Sequence, residues 1–244
     1  MRRPRARGID RSVRARMSSS SARGRRGAVG AVVRAYLVAY NCAQALGWAR
    51  VLWDAIEGIR RGGSAYETSR DTLVMFQLAS VMEVAHAISG LTPSPAGAAA
   101  AQWAGRTHCL LCALDAVKSN RSSLASTILV LAWALTEIIR YPSYVGALVG
   151  ACPSWLTWLR YTVFVPLYPL GAGAEMKLMY DAREHARRTK MFAITMPNAF
   201  NFAFDYPTFL NVLLVAYPFL FYSLYAYMFV QRRKKLGSTK AKQN

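Results

Sequence analysis

The stretch Trp158-Leu-Arg-Tyr-Thr-Val-Phe-Val-Pro-Leu-Tyr-Pro-Leu-Gly-Ala-Gly-Ala-Glu175 decides how this chain is read. It opens as an apolar, aromatic run of the kind that lies in lipid, and it ends on a carboxylate. Pro169, Gly171 and Gly173 predict a break in the helix there, because proline removes a backbone donor and glycine permits unwinding. Tyr168 and Glu175 are seven residues apart, which places them on nearly one helical face, about two turns from each other. Ionisable groups at membrane depth are expensive, so a phenol and a carboxylate on one face there read as a proton-transfer pair.

The rest of the chain has the same character. Of 244 residues, 54% are hydrophobic, and the formal charge is +19. About a third of the basic residues fall within the first 34 positions, and a further group follows Val230. Charge at both ends of an apolar body reads as membrane flanks, not as a nucleic-acid face. Six apolar segments, approximately 29–53, 71–91, 96–117, 124–141, 155–174 and 208–230, are each about long enough to span a bilayer. The expected fold is therefore all-α: an integral membrane bundle of about six transmembrane helices. Residues 1–28, rich in Arg and Ser, are expected to form a disordered basic tail, a transit peptide or the product of an upstream start codon with Met17 as the true initiator. Residues 29–231 form the membrane domain, and 232–244 a basic C-terminal tail. An even number of spans puts both termini on one side, and the basic ends place that side in the cytosol. The connection 175–207 carries Lys177, Arg183, Arg187, Arg188 and Lys190, and reads as an interfacial helix that ends at Pro197-Asn198. On an even count, its charge falls on the side that the positive-inside rule disfavours.

Polar residues recur inside the spans at helical spacing: Asn41 with Gln44, Glu83 with His86, Gln102 with Arg106, Glu137 with Arg140. They serve either as hydrogen bonds between helices or as a site. The Glu83–His86 face is expected to point towards the helix bearing Tyr168. One Glu-x-x-His pair is too few for a metal centre, and no metal is expected. Cys42, Cys109, Cys112 and Cys152 read as ordinary helix residues. None has an Arg six positions on, where Trp48, Asp115, Lys118 and Trp158 stand instead, so a Cys-x5-Arg phosphate loop is excluded.

Five blocks resemble the membrane 3-hydroxyacyl-CoA dehydratases of very-long-chain fatty acid elongation. They are Tyr36-Leu-x-x-Tyr-Asn-x-x-Gln-x-x-Gly-Trp48, Glu83-Val-x-His86-x-x-x-Gly90, Gln102-x-x-x-Arg106, Trp133-x-x-x-Glu137-Ile-x-Arg140-Tyr141-x-x-Tyr144, and Arg160-Tyr161-Thr162-x-Phe164-x-x-Leu167-Tyr168-Pro169-x-Gly171-x-x-x-Glu175. Ala134 departs from the pattern, in which a Ser is common, and residues 91–101 are unusually Ala-rich.

The resemblance implies a lyase of the endoplasmic reticulum membrane that needs no cofactor. It would convert a long-chain (3R)-3-hydroxyacyl-CoA to the trans-2-enoyl-CoA, in the company of the condensing enzyme and reductases of elongation. It also implies Tyr168 and Glu175 as the catalytic pair. Removing a proton from C2 needs a base, and hydroxide leaves from C3 only with an acid's help; Glu175 is expected to be the base and Tyr168 the acid. Arg106, Arg140 and Arg160, with Glu83 and His86, are candidates for substrate binding. A kink at Pro169 is expected to bring Glu175 back towards Tyr168. Two other readings compete: a catalytically silent scaffold of the same fold, and a small transporter subunit with Glu83, His86, Arg106 and Glu137 along a proton path.

Overall fold

The computed structural model describes residues 11–197, 199 and 201–240. Among these the architecture is all-helical, and the nearest approach to a sheet is one isolated bridge between Ile194 and Phe204. The helices are α1 (Arg11–Arg60), α2 (Ala65–Ala79), α3 (Val81–Ile88), α4 (Ala96–His108), α5 (Lys118–Arg121), α6 (Leu124–Val149), α7 (Ser154–Arg160), α8 (Phe164–Thr189) and α9 (Tyr206–Lys240), with a π-helical segment, Cys109–Asp115, continuing α4.

The six expected apolar segments thus all become helix, yet among the described residues only α6 and the 206–236 part of α9 are long and apolar enough by themselves to cross a membrane, with mean hydropathies of 1.4 and 1.7. The others are interrupted or charged. The second segment breaks at Ser80, where α2 hands over to α3. The third changes from α to π geometry at Cys109. The fifth breaks at 161–163, between α7 and α8.

Local chemistry sets these boundaries. Ser64 caps α2 by accepting from the Glu67 backbone N–H at 3.2 Å, in a Ser-x-x-Glu capping arrangement, and its hydroxyl donates to the Arg121 carbonyl at 2.5 Å. Ser123 caps α6 through the Ser126 N–H at 3.1 Å, and α6 ends on Gly150 in the left-handed region, where glycine carries no Cβ penalty. Asp205 starts α9, accepting from the Thr208 hydroxyl at 2.6 Å and its N–H at 3.0 Å; these bonds hold its carboxyl below the usual carboxylate range.

Three expectations are corrected here. α1 begins at Arg11, inside the stretch expected to be disordered; with no proline after Pro4 to stop it, the helix extends N-terminally from its apolar part. Residues 1–10 and 241–244 lie outside the described residues. The basic stretch 177–188 is not a separate interfacial helix but the second half of α8, which ends on Lys190 in the left-handed region. Asn198, half of the expected Pro197-Asn198 stop, also lies outside the described residues.

The third correction matters most. α8 does not break at Pro169, Gly171 and Gly173; it runs helical from Phe164 to Thr189. Pro169 deprives the Val165 carbonyl of its i→i−4 donor. The hydroxyl of Tyr225, on α9, supplies the missing donor at 3.0 Å. Gly171 turns towards α6, where a Cβ would sit 3.7 Å from the Ala132 side chain.

Packing fixes the bundle. α1 lies against α2 and α6, α6 against α8, and α8 against α9. One core joins Trp48, Leu73, Leu110, Leu129 and Leu178; a second joins Ala113, Met179, Ala182, Tyr206 and Leu210 between the π segment, α8 and α9. α1 and α2 approach closely at Gly47, where a Cβ would meet the Phe76 ring at 2.2 Å, so any other residue there forces the ring or the helix to shift. The π segment is tied down by buried Asn120, whose amide donates to the Ala113 carbonyl at 2.7 Å and the Leu178 carbonyl at 3.0 Å.

Candidate active site

α8 and α9 are antiparallel, and their side chains meet in order. Phe164 meets Phe229 at 5.2 Å between ring centroids, Tyr168 meets Tyr225 at 6.4 Å and Phe221 at 6.2 Å, Glu175 meets Tyr217, and Arg183 donates to Asn211 at 3.2 Å. Tyr168 and Glu175 are both half-buried at this seam. Because α8 is continuous, the pair lies about two helical turns apart, about 10 Å on an ideal axis; the expected unwinding at the glycines is not seen.

Both oxygens of Glu175 are occupied. Trp133 on α6 donates its indole N–H to Oε1 at 3.0 Å, and the Tyr217 hydroxyl donates to Oε2. Behind Trp133 lies Arg106: its guanidinium carbon is 4.2 Å from the Trp133 ring centroid and 5.4 Å from that of Trp48. Two indole faces holding one guanidinium give cation–π contact on both sides.

Arg106 opens a chain of alternating charge. It donates through Nη1 to Glu137; Arg140 donates through Nε to the other Glu137 oxygen at 2.6 Å; Arg140 then grips Glu83 with both terminal nitrogens, at 2.8 and 3.1 Å. Tyr141 also donates to Glu83. The Glu137 side chain is only 2% exposed, and its two arginine partners are what makes a carboxylate tolerable there. The i,i+3 spacing of Glu137 and Arg140 puts both on one face of α6. Arg106 Nε and Nη2 are buried and have no hydrogen-bond partner among the described residues.

A cavity of about 580 Å³ adjoins this chain. All five residues proposed from sequence for substrate binding line it: Arg106, Arg140, Arg160, Glu83 and His86. Tyr168 and Glu175 are not on its wall; Trp133 and Arg106 stand between Glu175 and the cavity. Arg160, at the end of α7, rests on the Tyr144 ring at 4.4 Å. The far wall includes Ala98 and Ala99, so the Ala-rich stretch leaves that side open.

The Glu83–His86 face does not point at the Tyr168 helix as expected. Glu83 faces α6, and His86 turns to α1, where its Nε2 meets the Tyr36 hydroxyl at 2.8 Å and its ring meets Tyr40 edge-on at 4.9 Å. The helix is interrupted at Ser80, between α2 and α3, so the face cannot be read from the spacing along a single helix. Of the cysteines, Cys109 is buried, Cys112 and Cys152 are half-buried and Cys42 is exposed.

Sequence reasoning missed Tyr217 and Tyr225. Each looks like one more of the 13 tyrosines, suited to a membrane-interface belt. Their spacing of eight residues, close to the seven between Tyr168 and Glu175, was the available signal.

The chain was compared with known proteins. The family model described as protein tyrosine phosphatase-like protein, PTPLA, matches residues 77–238. The mouse very-long-chain (3R)-3-hydroxyacyl-CoA dehydratase 2 is 35% identical over 213 residues, covering 86% of this chain and 84% of the relative. The Arabidopsis thaliana dehydratase PASTICCINO 2 is 36% identical over 218 residues, covering 88% and 98%. The Caenorhabditis elegans dehydratase hpo-8 is 36% identical over 209 residues, covering 84% and 96%. No solved structure matches the chain.

Proposed function

Because the chain belongs to the protein tyrosine phosphatase-like PTPLA family, whose similar members are named very-long-chain (3R)-3-hydroxyacyl-CoA dehydratases, we propose that it is a membrane hydro-lyase converting a long-chain (3R)-3-hydroxyacyl-CoA to the trans-2-enoyl-CoA during fatty acid elongation. The observation that carries the reading is the Glu175 carboxylate, held from two sides on the same α8 face as the Tyr168 phenol and linked through Trp133 to Arg106 on the wall of a cation-lined cavity.

In this reading Glu175 takes the proton from C2. The electron pair of that C–H bond forms the C2–C3 double bond, and the C3–O bond breaks. Tyr168 protonates the departing oxygen, which leaves as water. The proton on Glu175 then returns to the Tyr168 phenolate. The interval of about 10 Å along α8 is filled by the two side chains and the C2–C3 unit between them. Arg106, with two buried nitrogen donors unpaired among the described residues, faces the thioester oxygen, where negative charge develops as C2 loses its proton. Arg140 and Arg160 hold the anionic CoA portion, with Glu83 and His86 shaping the same wall.

In this reading the six apolar segments cross the endoplasmic reticulum membrane, with both termini cytosolic and the other elongation enzymes as neighbours. Apolar side chains on the open face of α9, among them Val212, Val215, Phe219, Leu220 and Leu224, are exposed, as suits contact with lipid. The test is direct: membranes containing the full chain should form enoyl-CoA from a long-chain (3R)-3-hydroxyacyl-CoA. Absence of product, with the protein present and folded, would overturn the reading.

A further inference from the structure

We propose that Tyr217 is a positioning residue that fixes the Glu175 carboxylate for removal of the C2 proton, an inference that rests on the reading of Glu175 as the base. A glutamate has three rotatable side-chain bonds, and the residues one turn before Glu175 on α8, Gly171 and Ala172, are too small to hold its side chain in place. Trp133 anchors one oxygen at 3.0 Å, which by itself leaves the carboxylate free to swing about that contact. The Tyr217 hydroxyl holds the second oxygen from the opposite helix. Two donors on two oxygens, one from α6 and one from α9, set both the place and the plane of the group. A carboxylate offers about four lone-pair sites; two are taken, and the others remain for the substrate proton.

The location of Tyr217 supports this role. It lies on α9 opposite Glu175, with Tyr225 opposite Tyr168, so one face of α9 holds both members of the pair. The Tyr217 ring packs partly against the second core, while its hydroxyl, among the described residues, bonds to the reacting carboxylate rather than to a backbone group. A purely packing residue would need the ring and not the hydroxyl.

The experiment uses the full chain in membranes, with wild type, Glu175→Gln, Tyr217→Phe and Trp133→Phe assayed on a long-chain (3R)-3-hydroxyacyl-CoA. Turnover is expressed per folded protein, judged by thermal unfolding in detergent. Tyr217→Phe keeps the ring and removes the donor. Its kcat should fall about 10- to 100-fold, in line with loss of a hydrogen bond to a charged group, while KM stays within about twofold. Trp133→Phe, which removes the other donor, should show the same kcat-weighted loss. Wild-type kcat in Tyr217→Phe beside an inactive Glu175→Gln would overturn the positioning role and leave the base intact. A loss confined to KM, or to the amount of folded protein, would overturn it too. An active Glu175→Gln would overturn both the positioning role and the reading on which it rests.

Discussion

The hydroxyl of Tyr225 donates to the Val165 carbonyl at 3.0 Å, the acceptor that Pro169 leaves without a helical donor. A proline that sequence alone reads as a break is thereby absorbed into a continuous helix by Tyr225, 60 positions from the carbonyl it serves. The same tyrosine stacks on Tyr168. Tyr225→Phe should therefore destabilise the protein by about 1 kcal/mol, the usual net worth of one hydrogen bond, and lower turnover several-fold by loosening the Tyr168 ring. Thermal unfolding and steady-state kinetics on the same preparation check both effects. Unchanged values in both would mean that α8 stays continuous without this bond.

The charge chain should be the most fragile part of the bundle. Glu137→Ala leaves Arg106 and Arg140 without their shared partner, and removing one member of a buried ion pair costs about 3–5 kcal/mol. The variant should unfold at markedly lower temperature or fail to accumulate. Glu83→Ala removes an acid that is more exposed, 27% against 2% for Glu137, so it should accumulate better and show its defect in activity. Comparison of membrane yields tests this order, and a better-tolerated Glu137→Ala would reverse it.

Much of the architecture was legible in the sequence and part of it was not, for identifiable reasons. Runs of apolar residues predicted where helices lie, because period and length are local properties. One polar pair was legible too: Glu137 and Arg140, three apart, do share a face and bond to each other. The continuity of α8 was not legible, because the donor that repairs Pro169 comes from α9. The direction of Glu83 and His86 was missed because Ser80 breaks the helix with no proline or glycine to announce it. Tyr217 was missed because its partner, Glu175, becomes a neighbour only when α8 and α9 pack antiparallel.

The cavity makes separable predictions for binding. Arg160→Ala should raise KM with little change in kcat, since Arg160 stands at the end of α7 and, among the described residues, stacks on Tyr144 and Tyr161. Ala98→Phe should also raise KM by narrowing the open wall. Arg106→Lys should instead lower kcat, because a lysine keeps the charge and loses the planar fork held between two indoles. Equal effects of all three on KM alone would place Arg106 with the binding residues and remove it from the reacting end.

Topology has its own test. Tags at Met1 and Asn244 should both be reached by antibody in cells whose plasma membrane alone is permeabilised, as an even number of spans requires. Protection of one terminus would mean an odd number.

The most direct measurement is the rate of enoyl-CoA formation by Tyr168→Phe, Glu175→Gln and the double variant in membranes where all accumulate as the wild type does. If phenol and carboxylate work as one unit, each single variant loses most of the activity and the double variant is little worse than either. Near-wild-type turnover in either single variant would contradict the pair as the catalytic centre.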